Sequence, residues 1–166
     1  MKCFQCNSEM KNTVETYHYK ESGLDNVYLE NIAVYRCTCG EYYVSIPAVT
    51  EINTLIAMNI INKKAFLTGS EIRYLRKNAG LSATDFAEFI GVNKSTLSRW
   101  ENDKQTLDKS SDRMIRLFYL SFKGIPKEKM ATFFNEVIKK ISHNGRVINI
   151  NIPVDPLVPA LQPNGC

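Results

Sequence analysis

The chain has 166 residues, of which 44% are hydrophobic and 23% charged, with a formal net charge of +4. That is a soluble globular composition, long enough for one ordinary domain or two small ones with a real core. No apolar run approaches the roughly 18 residues a membrane helix needs, and "MKCFQCNSEM" lacks the basic-then-apolar order of a signal peptide. A cytoplasmic protein with no membrane partner is therefore expected.

Charge is unevenly placed. Residues 1–60 carry 4 Lys/Arg against 7 Asp/Glu, residues 61–123 carry 12 against 7, and residues 124–166 carry 5 against 3. The middle segment is the basic one, a pattern that attracts polyanions but that an ordinary solvated surface also shows.

The first 45 residues read as short β-structure. "TVETYHY" alternates from Thr13, "VYLENIAVYRC" is rich in Val, Ile and Tyr, and the turn signal "SGLDN" separates them. Cysteines bracket this region: Cys3-Phe-Gln-Cys6 forms a C-x-x-C knuckle, and Cys37-Thr-Cys39 forms a second, shorter pair. In a reducing compartment two close pairs point to a metal rather than to disulfides. Two short loops brought together by a hairpin supply the four thiolates that tetrahedral zinc prefers, so Cys3, Cys6, Cys37 and Cys39 are the expected zinc ligands, with His18 as a possible substitute. Reduced, merely buried thiols are the competing reading. A redox C-x-x-C is disfavoured because no βαβ pattern follows. A 45-residue β-module has little core of its own, so metal would supply much of its folding energy.

After Pro47, "AVTEINTLIAMNIINKKAF" has helical apolar spacing and links the two halves over residues 46–67. From Thr68 the sequence is a series of helices. "TGSE" and "SATD" each place a side-chain acceptor three residues before a carboxylate, the pattern of a capping box. The first helix is expected to bury Ile72 and Leu75 and to end at Gly80. The second is expected to bury Phe86, Phe89 and Ile90 and to stop at Gly91. A third runs from near Asn93 to about Asn102 and a fourth over roughly 109–122. Pro126 opens a fifth carrying Met130, Phe133, Phe134, Val137, Ile138 and Ile141 on one face. "VINININIP" then alternates as a strand, and four prolines in the last 14 residues suggest an extended or disordered tail. Residues 146–163 are expected to be mobile, with the strand either adding to a partner's sheet edge or closing this protein's own sheet. His18 and His143 read as ordinary histidines, and Cys166 as an exposed thiol.

Helices two and three are joined by only "GVN", the connection of a helix-turn-helix, which delivers its second helix into the major groove. Leu97 and Trp100 face inward with Phe86 and Ile90, leaving Lys94, Ser95, Ser98 and Arg99 outward. A solvated basic helix on a protein-binding module is the bland alternative.

The stretch "LSATDFAEFIGVNKSTLSRWEND" resembles the Xre/Cro-type helix-turn-helix, over about residues 68–122. The resemblance implies base-edge contacts from Lys94, Ser95, Thr96 and Arg99, with Ser98 on the same face. Arg99 is the strongest of them, because its fork can bond guanine O6 and N7 together. The glutamine that often clamps a phosphate in that family is Ala83 here, which leaves the contact to Thr84 or Ser82. Trp100 and Glu101 read as structural, Glu101 as a polar tie within the bundle.

The order of parts, "MKCFQCNSEM…YRCTCGE" followed by the Xre-type motif, resembles the YgiT-type zinc-finger/helix-turn-helix proteins, the MqsA antitoxin family. The implied protein is a homodimeric antitoxin of a type II toxin–antitoxin system. It binds a cognate toxin and represses its own operon at a palindromic operator in double-stranded DNA. The alternative is a stand-alone Xre-type regulator with a structural or protein-binding ribbon. No carboxylate pair, nucleophile–base constellation or phosphate loop suggests an enzyme. The expected class is α+β: a β zinc ribbon (1–45), a linker with a helix (46–67), a five-helix DNA-binding domain (68–145) and a C-terminal strand and tail (146–166). A single motif reads a half-site, so dimerisation is expected, and the wide apolar face of the fifth helix is its expected surface.

Overall fold

The computed structural model describes residues 1–142 and 148–157. Strand β1 (Lys11–His18) pairs antiparallel with β2 (Val27–Arg36), and β3 (Tyr42–Ser45) pairs antiparallel with the far edge of β2. Helices follow at α1 (Val49–Asn62), α2 (Gly69–Asn78), α3 (Ala83–Phe89), α4 (Lys94–Glu101), α5 (Lys109–Phe122) and α6 (Lys127–Glu136). A last strand, β4 (Ile150–Pro153), returns to the sheet and runs parallel to β2, beside residues 27–30. The α+β class is as expected: an antiparallel sheet carrying a cysteine cluster, then helices.

The apolar residues of β2 fall at 27 and 29 and then at 32 and 34, a break in the period of two. The physical cause is a bulge: Tyr17 pairs with Leu29 but Glu15 pairs with Ile32, so β2 carries one extra residue. Asn31 absorbs it with φ +62, a left-handed conformation that asparagine tolerates. The extra residue re-phases the strand, and Val27, Leu29, Ile32 and Val34 all reach the same buried face.

That face packs on α1, whose Ile52, Ile56, Ala57, Ile60 and Ile61 are fully buried, and Ile150 and Ile152 of β4 join the same core. The core continues without interruption into Ile72, Leu75, Phe86, Leu97, Ile115 and Leu120. Residues 46–67 thus hold the central helix of a shared core, so the sheet does not depend on metal alone for its apolar burial.

The helix starts follow local chemistry. Thr68 and Glu71 form a full capping box at α2. At α3 the shorter Asp85 reaches only the Ser82 hydroxyl, while its own N–H donates to Ser82 Oγ (3.1 Å). Asn93 caps α4 through the Thr96 N–H (2.8 Å), and Asp108 caps α5 through Ser110 and Ser111. The fifth predicted helix is shorter than expected: α6 ends at Glu136 and the chain tightens into a 3-10 turn at Ile138–Lys140.

One expectation needs correction. Phe89 is 60% exposed instead of buried; α3 stops at that residue, and its inward positions are already filled by Phe86 and Ala87. Of the two readings of the C-terminal strand, closure of this chain's own sheet is the one observed: Ile150–Pro153 pairs with β2, so that segment is ordered and not free to add to a partner's edge. His143, Cys166 and the remainder of the expected mobile tail lie outside the described residues.

Asp112 and Arg116 on α5 are fully buried. Arg116 Nε donates to Asp112 Oδ1 (2.7 Å), and its two terminal nitrogens donate to the carbonyls of Ile61, Lys63 and Ala65 at 2.5–2.7 Å. Asp112 Oδ2 accepts the Leu67 N–H (2.7 Å). Truncating the cation leaves a buried carboxylate and three buried carbonyls uncompensated. Arg116→Ala should therefore lower the unfolding free energy by about 3–5 kcal/mol, measured by urea denaturation. Because the core is shared, sheet and helices should be lost in one transition.

Candidate nucleic-acid interface and metal centre

Antiparallel pairing of β1 with β2 sets Lys11 opposite Arg36, so the segments flanking those ends, residues 3–6 and 37–39, meet at one end of the sheet. Each forms a tight knuckle. Cys3 N donates to Ser8 O (2.9 Å) and Asn7 N to Cys3 O (2.9 Å), with Asn7 at φ +61. In the second, Cys37 N donates to Glu41 O (2.8 Å) and Gly40 N to Cys37 O (3.1 Å). Gly40 sits at φ +98, a conformation that side-chain-bearing residues rarely adopt, and this turn brings Cys39 back beside Cys37 despite the one-residue spacing.

The Sγ atoms of Cys3, Cys6, Cys37 and Cys39 lie within 4.8 Å of one another, with Cys3–Cys39 at 3.7 Å and Cys6–Cys37 at 3.3 Å. Four thiolates about 2.3 Å from a tetrahedral ion would sit about 3.8 Å apart, so the donor set and its spacing fit one metal ion. Ser8, through its side chain and then its backbone N–H, holds the Cys6 thiol down to about 6. The Glu41 N–H also favours the Cys39 thiolate, but the neighbouring thiols Cys37 and Cys6 outweigh it and push Cys39 up to about 12. A cation bound by these thiols would displace their protons. His18 takes no part: its Nε2 pairs with Asp25 O (2.9 Å) and its ring stacks on Tyr28.

The second site is α4. Leu97 and Trp100 are buried, while Lys94, Ser95, Ser98 and Arg99 are exposed and Thr96 is half-buried. Lys94 and Arg99 have no side-chain partner among the described residues. The hydroxyls are engaged: Ser95 Oγ donates to Asn93 Oδ1 (2.6 Å), and Asn102 Nδ2 lies 3.5 Å from Ser98 Oγ while donating to Ser98 O (2.7 Å). At α3, Ser82 is consumed as a cap, so Thr84 is the exposed hydroxyl left for a phosphate.

Rigid anchoring presents this helix. Arg76 of α2 grips the buried Glu101 carboxylate with two bonds, Nε to Oε1 (2.7 Å) and Nη2 to Oε2 (3.1 Å), and its third nitrogen holds Leu81 O (3.1 Å) ahead of α3. Arg73 adds bonds to Glu101 O (2.8 Å) and Asn102 Oδ1 (2.9 Å). Gly69 allows the last turn of α4 to press against the start of α2, where a Cβ would lie 2.5 Å from Trp100 O. Glu101 is the expected polar tie. Its arginine partners were missed, although Arg73 and Arg76 stand three apart on one face of α2. Asn93, whose Oδ1 accepts from the Thr96 N–H and from Ser95 Oγ, is a second support of α4 that helix spacing alone does not declare.

Residues 72–111 match a helix-turn-helix family model. This segment is a DNA-binding helix-turn-helix domain, the class defined by the α3–turn–α4 geometry. Within that class the match supports the Xre type for this segment, which spans less than half of the chain. No curated protein and no solved structure matched the chain. Among the described residues no helix is long and apolar enough to cross a membrane.

Protein purified without added metal should carry about one divalent ion per chain by elemental analysis. Cys6→Ser removes an exposed thiol of the cluster without touching the core, and should reduce retention after dialysis against a weak chelator several-fold. Thiolates must form for binding, so the ion should leave as pH falls.

Proposed function

We propose that this chain is a sequence-specific autorepressor and the antitoxin of a type II toxin–antitoxin system, acting in the cytoplasm and holding zinc at its cysteine cluster. The observation that carries the DNA-binding part is the exposed pair Lys94 and Arg99, without a side-chain partner among the described residues, on a helix whose opposite face is locked into the bundle. A free cation on a fixed helix meets a base edge or phosphate without first breaking an ion pair. Arg99 reads guanine, Lys94 neutralises a phosphate, Ser95, Thr96 and Ser98 line the same contact, and Thr84 positions the backbone. The operator is palindromic double-stranded DNA read by a homodimer.

The antitoxin part rests on the resemblance of the ribbon and on charge. Residues 1–60 carry a surplus of acids, so this end of the molecule disfavours DNA and suits a protein partner. One observation favours the alternative of a stand-alone regulator: β4, the segment best suited to strand addition, is already paired with β2. Zinc is the metal of choice because four thiolates select a soft or borderline ion of tetrahedral preference. Co-purification from the native cell with mass spectrometry separates the two readings, since a small toxic protein should elute with an antitoxin and not with a stand-alone regulator.

Arg99→Ala should weaken operator binding by roughly 1–3 kcal/mol and relax preference at one base pair per half-site. Lys94→Ala should weaken binding to all sequences and reduce the slope of log K against log salt by roughly 0.9 per lost phosphate contact. Both variants should remain folded, because neither side chain enters the core. Fluorescence anisotropy across a salt series measures both effects. Unchanged affinity and preference for Arg99→Ala would remove α4 from the recognition role.

A further inference from the structure

The wide apolar face expected on the fifth helix is largely used inside the chain: Phe133, Val137, Ile138 and Ile141 are buried. An open space with an unmet chemical need lies elsewhere, beside α4. Between the segment entering α2 and the loop that follows α4 there is a cavity of about 320 Å³. Phe66, Leu67, Ile72 and Leu107 give it apolar walls, and Trp100 forms another side. Trp100 is only 4% exposed, yet its indole Nε1 has no hydrogen-bond partner among the described residues. An indole nitrogen can only donate, and a buried one usually finds an acceptor. The cavity is the open space beside this side chain, so an acceptor held there meets the N–H.

We infer that this cavity binds a small neutral molecule carrying a carbonyl or ring-nitrogen acceptor on an apolar body, and that the molecule is an effector acting on α4. The volume lies at the small end of ligand sites, which suits a metabolite-sized molecule, and it exceeds what the single water able to satisfy the indole needs. Charge narrows the class further. Lys63, at the rim, is closed on the Glu71 carboxylate, so its positive charge is spent. Asp103 also lines the cavity; its Oδ1 accepts the Gly69 N–H (2.8 Å), and its second oxygen has no hydrogen bond among the described residues. That oxygen repels an anion and accepts from an N–H or O–H. An amide or lactam presents acceptor and donor side by side, and so serves Trp100 and Asp103 together. The effector role rests on the regulator reading above. The cavity joins the elements whose contact fixes α4: Gly69 admits the Trp100 carbonyl at the start of α2, and Lys104 N donates to Arg99 O (2.8 Å) where the chain leaves α4. A molecule bridging Trp100 and Asp103 fastens this junction in the arrangement that presents Arg99, so the molecule and DNA favour each other's binding.

The chain has a single tryptophan, so its indole N–H gives one signal in the proton–nitrogen NMR spectrum of the full chain. That signal is followed as benzamide, a neutral ring bearing an amide, is added to millimolar concentration, with benzoate and toluene as the charged and acceptor-free comparisons. Benzamide should move the signal in a saturable way, and the other two should move it far less. Asp103→Asn keeps an acceptor for the Gly69 N–H and tolerates the left-handed backbone at φ +52. Folded by circular dichroism, this variant should bind benzamide several-fold more weakly; if it is not folded, the wild-type comparison among the three probes decides. An indole signal that no probe moves, with its hydrogen exchanging freely with water, overturns the inference in favour of a hydrated cavity. A signal moved by duplex DNA and not by benzamide overturns it in favour of a DNA contact. Equal movement by benzoate overturns the neutral-ligand assignment. The effector role is read separately, on a duplex selected from a random pool: saturating benzamide should raise its affinity roughly fivefold or more, and an unchanged affinity overturns that role. A chain that takes up benzamide but prefers no DNA sequence would sink the regulator reading and leave the site standing.

Discussion

The fold turns on one buried guanidinium. Arg116 reaches from α5 into the chain segment leaving α1, where the last carbonyls of a helix have no partner within it. It satisfies the one at Ile61, together with the carbonyls of Lys63 and Ala65 just past the helix, while Asp112 neutralises it. Asp112 in turn holds the Leu67 N–H one residue before the cap of α2. The pair therefore fixes where α1 ends and where α2 begins. Burying two charges is costly, and hydrophobic replacements of similar volume often match such pairs in stability. What the pair adds here is geometry, because five donors in a rigid fork impose a single path on residues 61–67.

From that path the placement of α4 follows. The Thr68–Glu71 box starts α2, and Lys63 closes on the same Glu71 carboxylate. Gly69 then admits the backbone of Trp100, and Arg76 and Arg73 grip Glu101 and its neighbour. Each step positions the next, so the outward residues of α4 are set by contacts that begin under the sheet. Preorganisation of this kind lowers the entropy lost when the helix meets DNA.

The parts of this chain of contacts that were legible in the sequence are those governed by local rules. Thr68 and Ser82 cap helices whatever the tertiary structure, Leu97 and Trp100 declare an inward face by spacing, and the cysteine pairs announce their meeting across a hairpin. The parts that were not legible depend on distant segments. Asp112 and Arg116 stand four apart, which on a helix reads as an ordinary surface pair; only the arrival of residues 61–67 buries them. The bulge at Asn31 needs the β1 register before it has meaning. Parallel pairing of β4 with β2 joins residues some 120 positions apart, and no local pattern encodes it. Phe89 looked like core because helical periodicity identifies an apolar position without revealing whether anything packs over it.

The shared core also constrains how the acidic sheet end and the basic helical end can influence each other. With α1 packed between sheet and helices, and Arg116 fastening its end, the described residues between them form no hinge of the loose, polar kind that lets two domains reorient freely. A partner bound at the sheet therefore changes DNA affinity only through an energy difference between states that already exist. The route open to a rigid chain is the charge and bulk of a bound partner acting directly on the DNA, which requires no internal transmission. Because residues 1–60 carry a surplus of acids and residues 61–123 a surplus of bases, a bound basic partner would offset the acids and so add to DNA affinity, and an acidic one would subtract from it.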